Sequence, residues 1–557
     1  MDRFRIALAQ LNPVMGDIAG NLARARAARE AASGADVIVF SELFILGYSP
    51  EDLVLKPALQ DAARAAIEEL ARDTHTGPAI LIGTPWVEDA KLYNVMALLD
   101  EGRVIGVTRK CDLPNYGVFD EKRVFAAGPL PGPVVVRGVR LGVPICEDIW
   151  TGNVCAALAR EGAEILCVPN GSPFEAGKED VRIGLVRARV AETGLPLAYL
   201  NQLGGQDEVV YDGASFVVNG DGALVVALPG WQERVAITDW QREASGKWVC
   251  APGELVAVED RSSQVYHAMM LGLRDYVNKN RFPGVILGLS GGIDSALSAA
   301  VAVDALGADR VRCVMLPSRY TSRDSLDDAD HCARLLGMPY ETIEIERAVA
   351  AMDQTLAASL AGTSPGLTQE NIQSRLRGVI LMALSNTFGA MVLTTGNKSE
   401  MSVGYATLYG DMCGGYNVLK DVYKTEVFAL ARWRNAQSPV GALGPDGMVM
   451  PDRVITKPPT AELRANQTDQ DSLPPYDVLD GILECLVERE MAFADIVARG
   501  YDAATVQRVQ QLLYVSEYKR RQAPPGVKIG PRNFGRDRRY PITNAFRDHG
   551  AQTRTTP

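Results

Sequence analysis

Residues 285–298 read VILGLSGGIDSALS, an apolar run, a glycine-rich turn and a run of helix formers. Gly291 and Gly292 leave backbone N–H groups open to close approach, and the start of a following helix favours an anion. The chemistry implied is phosphate binding, yet the Gly-Lys-Ser/Thr ending of the common nucleotide hydrolases is missing, and the turn ends Gly-Ile-Asp-Ser. A helix terminus alone supplies only roughly 0.3–1 kcal/mol. Further cations are needed, and Asp294 can recruit a magnesium ion. Taken by itself, the turn is also read as a tight strand-to-helix connection whose Ser and Asp cap the helix.

A second set of residues suits amide hydrolysis by a thiol, which needs a nucleophile, a base and a group for the oxyanion. Cys146 stands where the strand-like LGVPI gives way to the polar Glu147 and Asp148. Glu42 follows the apolar ADVIVFS, and Lys110 ends the strand-like RVIGVTRK. Composition leaves each with a plain alternative, since buried cysteines are commonly core and charges at strand ends are commonly solvated.

The elements that must position these residues differ between two halves. Through about residue 225, strand-like and helix-like segments alternate: RIALAQL (5–11), NLARARAAREAAS (21–33) and ADVIVF (35–40) lead into GPAILIGTP (77–85) and YNVMALLD (93–100). Asp100, Glu101 and Gly102 turn the chain into 103–110, and ASFVVN-GDG-ALVVAL reads as a second hairpin. Hairpins among helices imply a mixed sheet covered by helices. The pattern weakens from about 226 to 258, which places a domain at 1–245, a linker at 246–260 and a second domain at 261–557. In the second domain strand and helix alternate as in a doubly wound parallel sheet, whose ligands lie at the carboxyl ends of strands, where 290–295 fall. Its basic segment, 518–541, suits an anionic ligand.

The chain has 557 residues, too many for one core, and its net charge of -11 argues against a nucleic-acid partner. No apolar run reaches the ~18 residues of a membrane span. The start resembles no signal peptide, and nine cysteines without a C-x-x-C pair fit a reducing cytoplasm. Four histidines show no metal-like pairing, so acid–base work falls to carboxylates, lysines or cysteine.

The full string S-G-G-x-D-S after a buried strand resembles the ATP-pyrophosphatases, which split ATP between its α and β phosphates. The resemblance implies an adenine nucleotide alpha hydrolase-like fold. The missing lysine is then explained, because such a loop cradles departing pyrophosphate rather than a transferring γ phosphate. TGNKSEMSVGYATLYGDMCGGYNVLKDVYKTE from Thr395, KPPTAEL (457–463) and the YKRR segment together resemble NAD synthetase. That resemblance implies that Gly288, Leu289, Ser290, Gly291, Gly292, Ile293, Asp294, Ser295 and Thr395 bind ATP. It implies that Asp294 and Glu400 serve Mg2+, and that Asn371, Glu400, Asp411, Lys424 and Lys519 handle deamido-NAD.

Activating a carboxylate with ATP gives an acyl-adenylate whose amidation needs ammonia, and at neutral pH ammonia is mostly ammonium, which is not nucleophilic. In the first half, Glu42, Lys110 and Cys146 in I-C-E-D-I-W, in this order, resemble the nitrilase superfamily. This implies an α-β-β-α sandwich in which Glu42 is the general base, Cys146 the nucleophile and Lys110 the oxyanion stabiliser. Glu121 matches an additional glutamate near the triad. Tyr116, Ser172 and Lys178, with Glu121, match glutamine-site positions. Cys146 followed by Glu147 and Asp148 departs from many stand-alone nitrilases. The chain is thus similar to the glutamine-dependent NAD synthetases, an α/β architecture that amidates deamido-NAD with ammonia from glutamine, passed internally, and ATP. Its partners would be small molecules and further copies of itself. Asp2 stands where asparagine synthetases have a cysteine. The histidines do not fit the amidotransferase of GMP synthetases, and the acidic chain does not suit tRNA thiolation. A nitrilase-like domain joined to a nucleotide sensor would not need Asp294 and Glu400.

Overall fold

The computed structural model of the chain describes residues 2–364 and 366–548. It divides into two compact units, Met1–Glu259 and Asp260–Pro557. Among the described residues no helix is long and apolar enough to cross a membrane.

In the first unit, a seven-stranded sheet runs in spatial order Trp248–Cys250, Arg234–Arg242, Arg3–Gln10, Val37–Phe40, Ala79–Glu88, Lys91–Asp100, Arg103–Arg109. A six-stranded sheet runs Leu224–Ala227, Phe216–Val218, Leu197–Asn201, Ile165–Asn170, Val139–Gly142, Val134–Val136. Both are mixed, with parallel centres and antiparallel edges. Alternation along Arg3–Gln10 shows how the layers form. Ile6 and Leu8 join Val37, Leu81, Leu141 and Leu200 between the sheets, while Ala7 and Ala9 face the other way, into a core with Leu22, Ile67 and Leu70 of helices Ile18–Ala31 and Pro57–Arg72. A third core, holding Leu158, Val186 and Val190, covers the outer face of the six-stranded sheet with helices Asn153–Arg160 and Lys178–Thr193. The result is an α-β-β-α sandwich. Both expected hairpins are present, at 100–102 and between Phe216–Val218 and Leu224–Ala227.

Two features depart from the sequence reading. The stretch read as a weakening pattern and linker contains strand Arg234–Arg242, paired to Arg3–Gln10 over its whole length, and the expected linker at 246–260 contains the edge strand Trp248–Cys250. Trp240, Trp248 and Cys250 are buried between the sheets, but Arg234–Arg242 mixes apolar and polar residues on both faces and Trp248–Cys250 is only three residues long, which hid the periodicity. The strand before Cys146 stops at Gly142, and Cys146 opens a single helical turn, Cys146–Ile149, instead of ending the strand.

The second unit is built on five parallel strands in order Tyr340–Thr342, Val311–Met315, Val285–Gly288, Met391–Thr394, Tyr416–Asn417. The chain moves outward from Val285–Gly288 to Tyr340–Thr342, then crosses back to Met391–Thr394. The gap between these two central strands is therefore the topological switch point. Helix Leu367–Phe388 covers one face through Leu376, Ile380 and Leu384, and helices Arg261–Lys279 and Ile293–Leu306 lie against each other. A separate core gathers Leu479, Ile482, Val506 and Val509 from the late helices with Val403.

Candidate active sites

In the first unit, Glu42 lies just past strand Val37–Phe40 and Lys110 just past strand Arg103–Arg109, three places along the same sheet, and both side chains are 0% exposed. Lys110 donates to Glu42 Oε1 at 2.7 Å and to Glu121 Oε1 at 3.0 Å. Asn94 Nδ2 also donates to Glu42 Oε1, at 2.7 Å, and the Gly171 N–H to Oε2 at 3.0 Å. Glu42 is thus held at both oxygens. Tyr48 OH donates to Glu121 at 2.7 Å. Burial opposes the ammonium of Lys110, but Glu121 and Glu42 outweigh it and hold its pKa well above the ordinary value. Glu121 is pushed up to about 7 by burial, with Glu42 adding to the shift against Lys110. Two glycines make this possible. A Cβ on Gly83 would lie 2.2 Å from Leu43 N and 2.7 Å from Glu42 C, and one on Gly171 would meet the Tyr48 ring at 2.6 Å.

Cys146 is buried and has φ +45, a left-handed conformation that costs a non-glycine residue about 1–3 kcal/mol. Burial holds its thiol well above the ordinary pKa, Glu42 adds to this, and Lys110 opposes it. The neutral thiol therefore needs a base at the moment of attack. At its rim, half-exposed Tyr116 donates to both oxygens of Glu147, at 3.1 and 3.0 Å. Ser172 is buried. Its N–H donates to Asn201 Oδ1 at 2.9 Å, and its hydroxyl accepts from Arg182 at 3.2 Å. Arg182 is itself a buried partner of Asp212. Lys178, half-buried at the start of helix Lys178–Thr193, is brought down to about 8 by desolvation first and then by Arg182.

In the second unit, 288–295 form the predicted strand, turn and helix. Gly291 has φ +76, and a Cβ there would sit 2.2 Å from Ser325 O. Ser290 Oγ accepts from the Gly292 N–H at 3.2 Å, and Ser295 Oγ donates to Gly292 O at 2.9 Å, so the two serines fix the turn. The cation absent from the turn arrives from far along the chain. Lys424 Nζ pairs with Asp294, in a bond spanning 130 residues, and stands 3.6 Å from Glu400. Asn397 Nδ2 donates to Asp294 Oδ1 at 2.8 Å, while its own Oδ1 caps the helix carrying Glu400. Glu400 is pushed up to about 8 by burial and by Asp294, against the pull of Lys424.

Two cavities at the switch point share Ser290, Thr395 and Asp411. One, of about 250 Å3, is lined by Gly288, Leu289, Val314, Leu381 and Arg377. The other, of about 190 Å3, is lined by Gly292, Asp294, Glu400, Lys424, Lys457 and Thr460. Asn371, Asp411 and Lys519 converge on the loop at 404–411. Thr407 donates to Asn371 Oδ1 at 2.9 Å through its hydroxyl and to Asp411 Oδ1 at 2.6 Å through its N–H, and Lys519 donates to Gly404 O and Ala406 O at 2.7 Å. Burial brings Asp411 up to about 6. Lys424, grouped by resemblance with the dinucleotide contacts, stands instead on the Asp294–Glu400 pair. Among the described residues no three His, Cys, Asp or Glu side chains gather as a metal cluster.

The sequence reading missed Asn94, Tyr48, Gly171, Asn397, Thr407 and Lys457. Most of their partners lie tens of residues away, and only Asn397, Thr407 and Lys457 carried a signal, the first two inside the stretch that starts at Thr395 and the third as the first residue of KPPTAEL.

A family model described as carbon-nitrogen hydrolase matches residues 5–249, and one described as NAD synthase matches residues 265–523. The chain is 56% identical over 549 residues to the glutamine-dependent NAD(+) synthetase of Rhodobacter capsulatus, covering 98% of this chain and 99% of that one. It is similar to the solved structure of glutamine-dependent NAD+ synthetase from Acinetobacter baumannii in complex with adenosine diphosphate, with 42% identity, a TM-score of 0.78 and coverage of 98% and 99%. A glutamine-dependent NAD(+) synthetase from Cytophaga hutchinsonii, 23% identical with a TM-score of 0.82 and 98% coverage of each chain, shares the fold. With both halves matched in order and whole-length relatives at this identity, the chain belongs to the glutamine-dependent NAD(+) synthetase family.

Proposed function

We propose that this chain converts deamido-NAD to NAD, using ATP and ammonia released from glutamine. The observation that carries the reading is the lysine-free glycine turn opening onto Asp294, Glu400 and Lys424 at the switch point. In the first unit, Glu42 takes the proton of the Cys146 thiol as Sγ bonds to the amide carbon of glutamine. Lys110 steadies the oxyanion, the proton passes to the leaving nitrogen, and water then releases glutamate from the thioester with Glu42 as base. Lys178 holds the glutamine carboxylate, with Tyr116, Glu121 and Ser172 shaping the site.

In the second unit, the carboxylate of deamido-NAD attacks the α phosphate of ATP and pyrophosphate leaves into the 290–295 turn. The ammonia from the first site then displaces AMP. Asn371, Asp411 and Lys519 orient the dinucleotide, and Thr395 contacts ATP. Burial and the neighbouring Asp294 raise the proton affinity of Glu400, so the pair calls for more positive charge than Lys424 gives, which suits a hard cation. Asp294 and Glu400 would hold magnesium, with substrate phosphates and water completing its shell, and the ion would neutralise the departing pyrophosphate. Nine free cysteines support a reducing cytoplasmic setting, and the exposed Leu367, Val379 and Phe388 on one helix support a homo-oligomer.

The products of ATP test the reading. Incubation with deamido-NAD, glutamine, magnesium and ATP is expected to yield AMP and pyrophosphate, separable by chromatography. ADP with orthophosphate would end it.

A further inference from the structure

The residues flanking the nucleophile contain a feature that the reaction scheme leaves unused. Asp148 is fully buried, two positions after Cys146, and its carboxylate accepts three backbone N–H groups. Oδ2 accepts from Ile145, the residue before the nucleophile, at 2.9 Å. Oδ1 accepts from Cys111 at 3.0 Å and from Asp112 at 2.7 Å, the two residues directly after Lys110. A bond to Ile145 alone would be an ordinary helix-turn cap. The two further bonds, spanning 37 and 36 residues, reach the segment that carries Lys110. Cys146 itself stands at φ +45, so the turn needs outside support to stay in that conformation.

We propose that Asp148 is a positioning residue, a carboxylate strut that fastens the nucleophile turn to the backbone after Lys110 and so sets Cys146 Sγ relative to the Lys110 ammonium and Glu42. The charge is shared among donors in a buried place, where such bonds are strong. Burial raises the carboxyl to about 6 even against the pull of the three backbone donors. An asparagine of the same size has one acceptor oxygen, and its amide nitrogen would face an N–H donor in place of the other.

This inference rests on Cys146 being the nucleophile, and the experiment separates the two claims. Asp148→Asn and the unaltered chain are treated with a glutamine analogue bearing a chloromethyl ketone in place of the amide, and labelling of Cys146 is followed by mass spectrometry. Labelling and glutamine-dependent kcat are expected to fall about 100-fold, as for a displacement near 1 Å. KM for glutamine should stay within about threefold and ammonia-dependent NAD formation unchanged. Equal labelling rates in the two proteins would overturn the strut. No labelling of Cys146 in the unaltered chain would instead overturn its assignment as nucleophile. Should Asp148→Asn fail to fold, hydrogen exchange on the unaltered chain decides the matter. The amides of Cys111, Asp112 and Ile145 should be protected together, and exchange of the first two as fast as exposed loops would overturn the proposal.

Discussion

Each candidate site places a lysine between two carboxylates, and the two clusters differ in their exposure. Lys110 with Glu42 and Glu121 is sealed, its side chain and that of Glu42 at 0% exposure. Lys424 lies between Asp294 and Glu400, whose side chains are 18% and 17% exposed along a cavity wall. The sealed cluster has its partners inside the fold: Asn94 and Gly171 on Glu42, Tyr48 on Glu121. It is suited to moving a proton without rearranging. The open cluster has an excess of negative charge and room beside it, so its ion pair can be exchanged for a cation and phosphates. Fixed internal partners suit proton transfer, and open ones suit ligand exchange.

The sharpest way to break this comparison is to disable one cluster at a time. Cys146→Ala is expected to lower glutamine-dependent NAD formation by a factor on the order of 10^4 or more, with ammonia-dependent formation kept. Asp294→Ala should cut synthesis from either nitrogen source by roughly 10^2–10^3-fold while glutamate release persists. Parallel assays with glutamine and ammonium salts check both, and loss of all activities in either variant would mean that the units do not divide the work.

A smaller effect sharpens the role of close backbone approach. Gly83→Ala should destabilise the first unit by about 3 kcal/mol, because the new Cβ meets the backbone of Glu42 and Leu43. Gly291→Ala meets Ser325 O at φ +76 and should impair ATP turnover instead. Denaturant melts set beside the two half-reactions distinguish these outcomes.

The mildest effect is on pH. Lys178 has its pKa lowered to about 8, so it loses its proton as pH rises through that value, and the cation that would hold the glutamine carboxylate is present only below it. The kcat/KM for glutamine should fall about tenfold per pH unit above about 8. Lys178→Arg should remove that limb, and the ammonia-dependent rate serves as control.

Much of this was legible because strands carry their own periodicity. Ile6 and Leu8 alternating with Ala7 and Ala9 already gave two apolar faces, hence a sheet covered on both sides. The 288–295 turn was readable from glycine positions alone. Arg234–Arg242 and Trp248–Cys250 were not, since a strand with apolar and polar residues on both faces, or one of three residues, shows little pattern until its neighbour is known. The conformation of Cys146 was also hidden: nothing in I-C-E-D predicts φ +45, which depends on Asp148 reaching the residues after Lys110.

By itself the sequence determined the residue types and their local geometry: a thiol, a base and a lysine in order, and a glycine turn at the end of a buried strand. Only the tertiary structure decided that Lys424 supplies the cation the turn lacks, that Asn94 and Gly171 hold Glu42, and that the two clusters differ in exposure. The reason is physical. Periodicity and turn chemistry act over a few residues, whereas charge pairing and burial join groups 52 to 130 positions apart, and those separations leave no local trace.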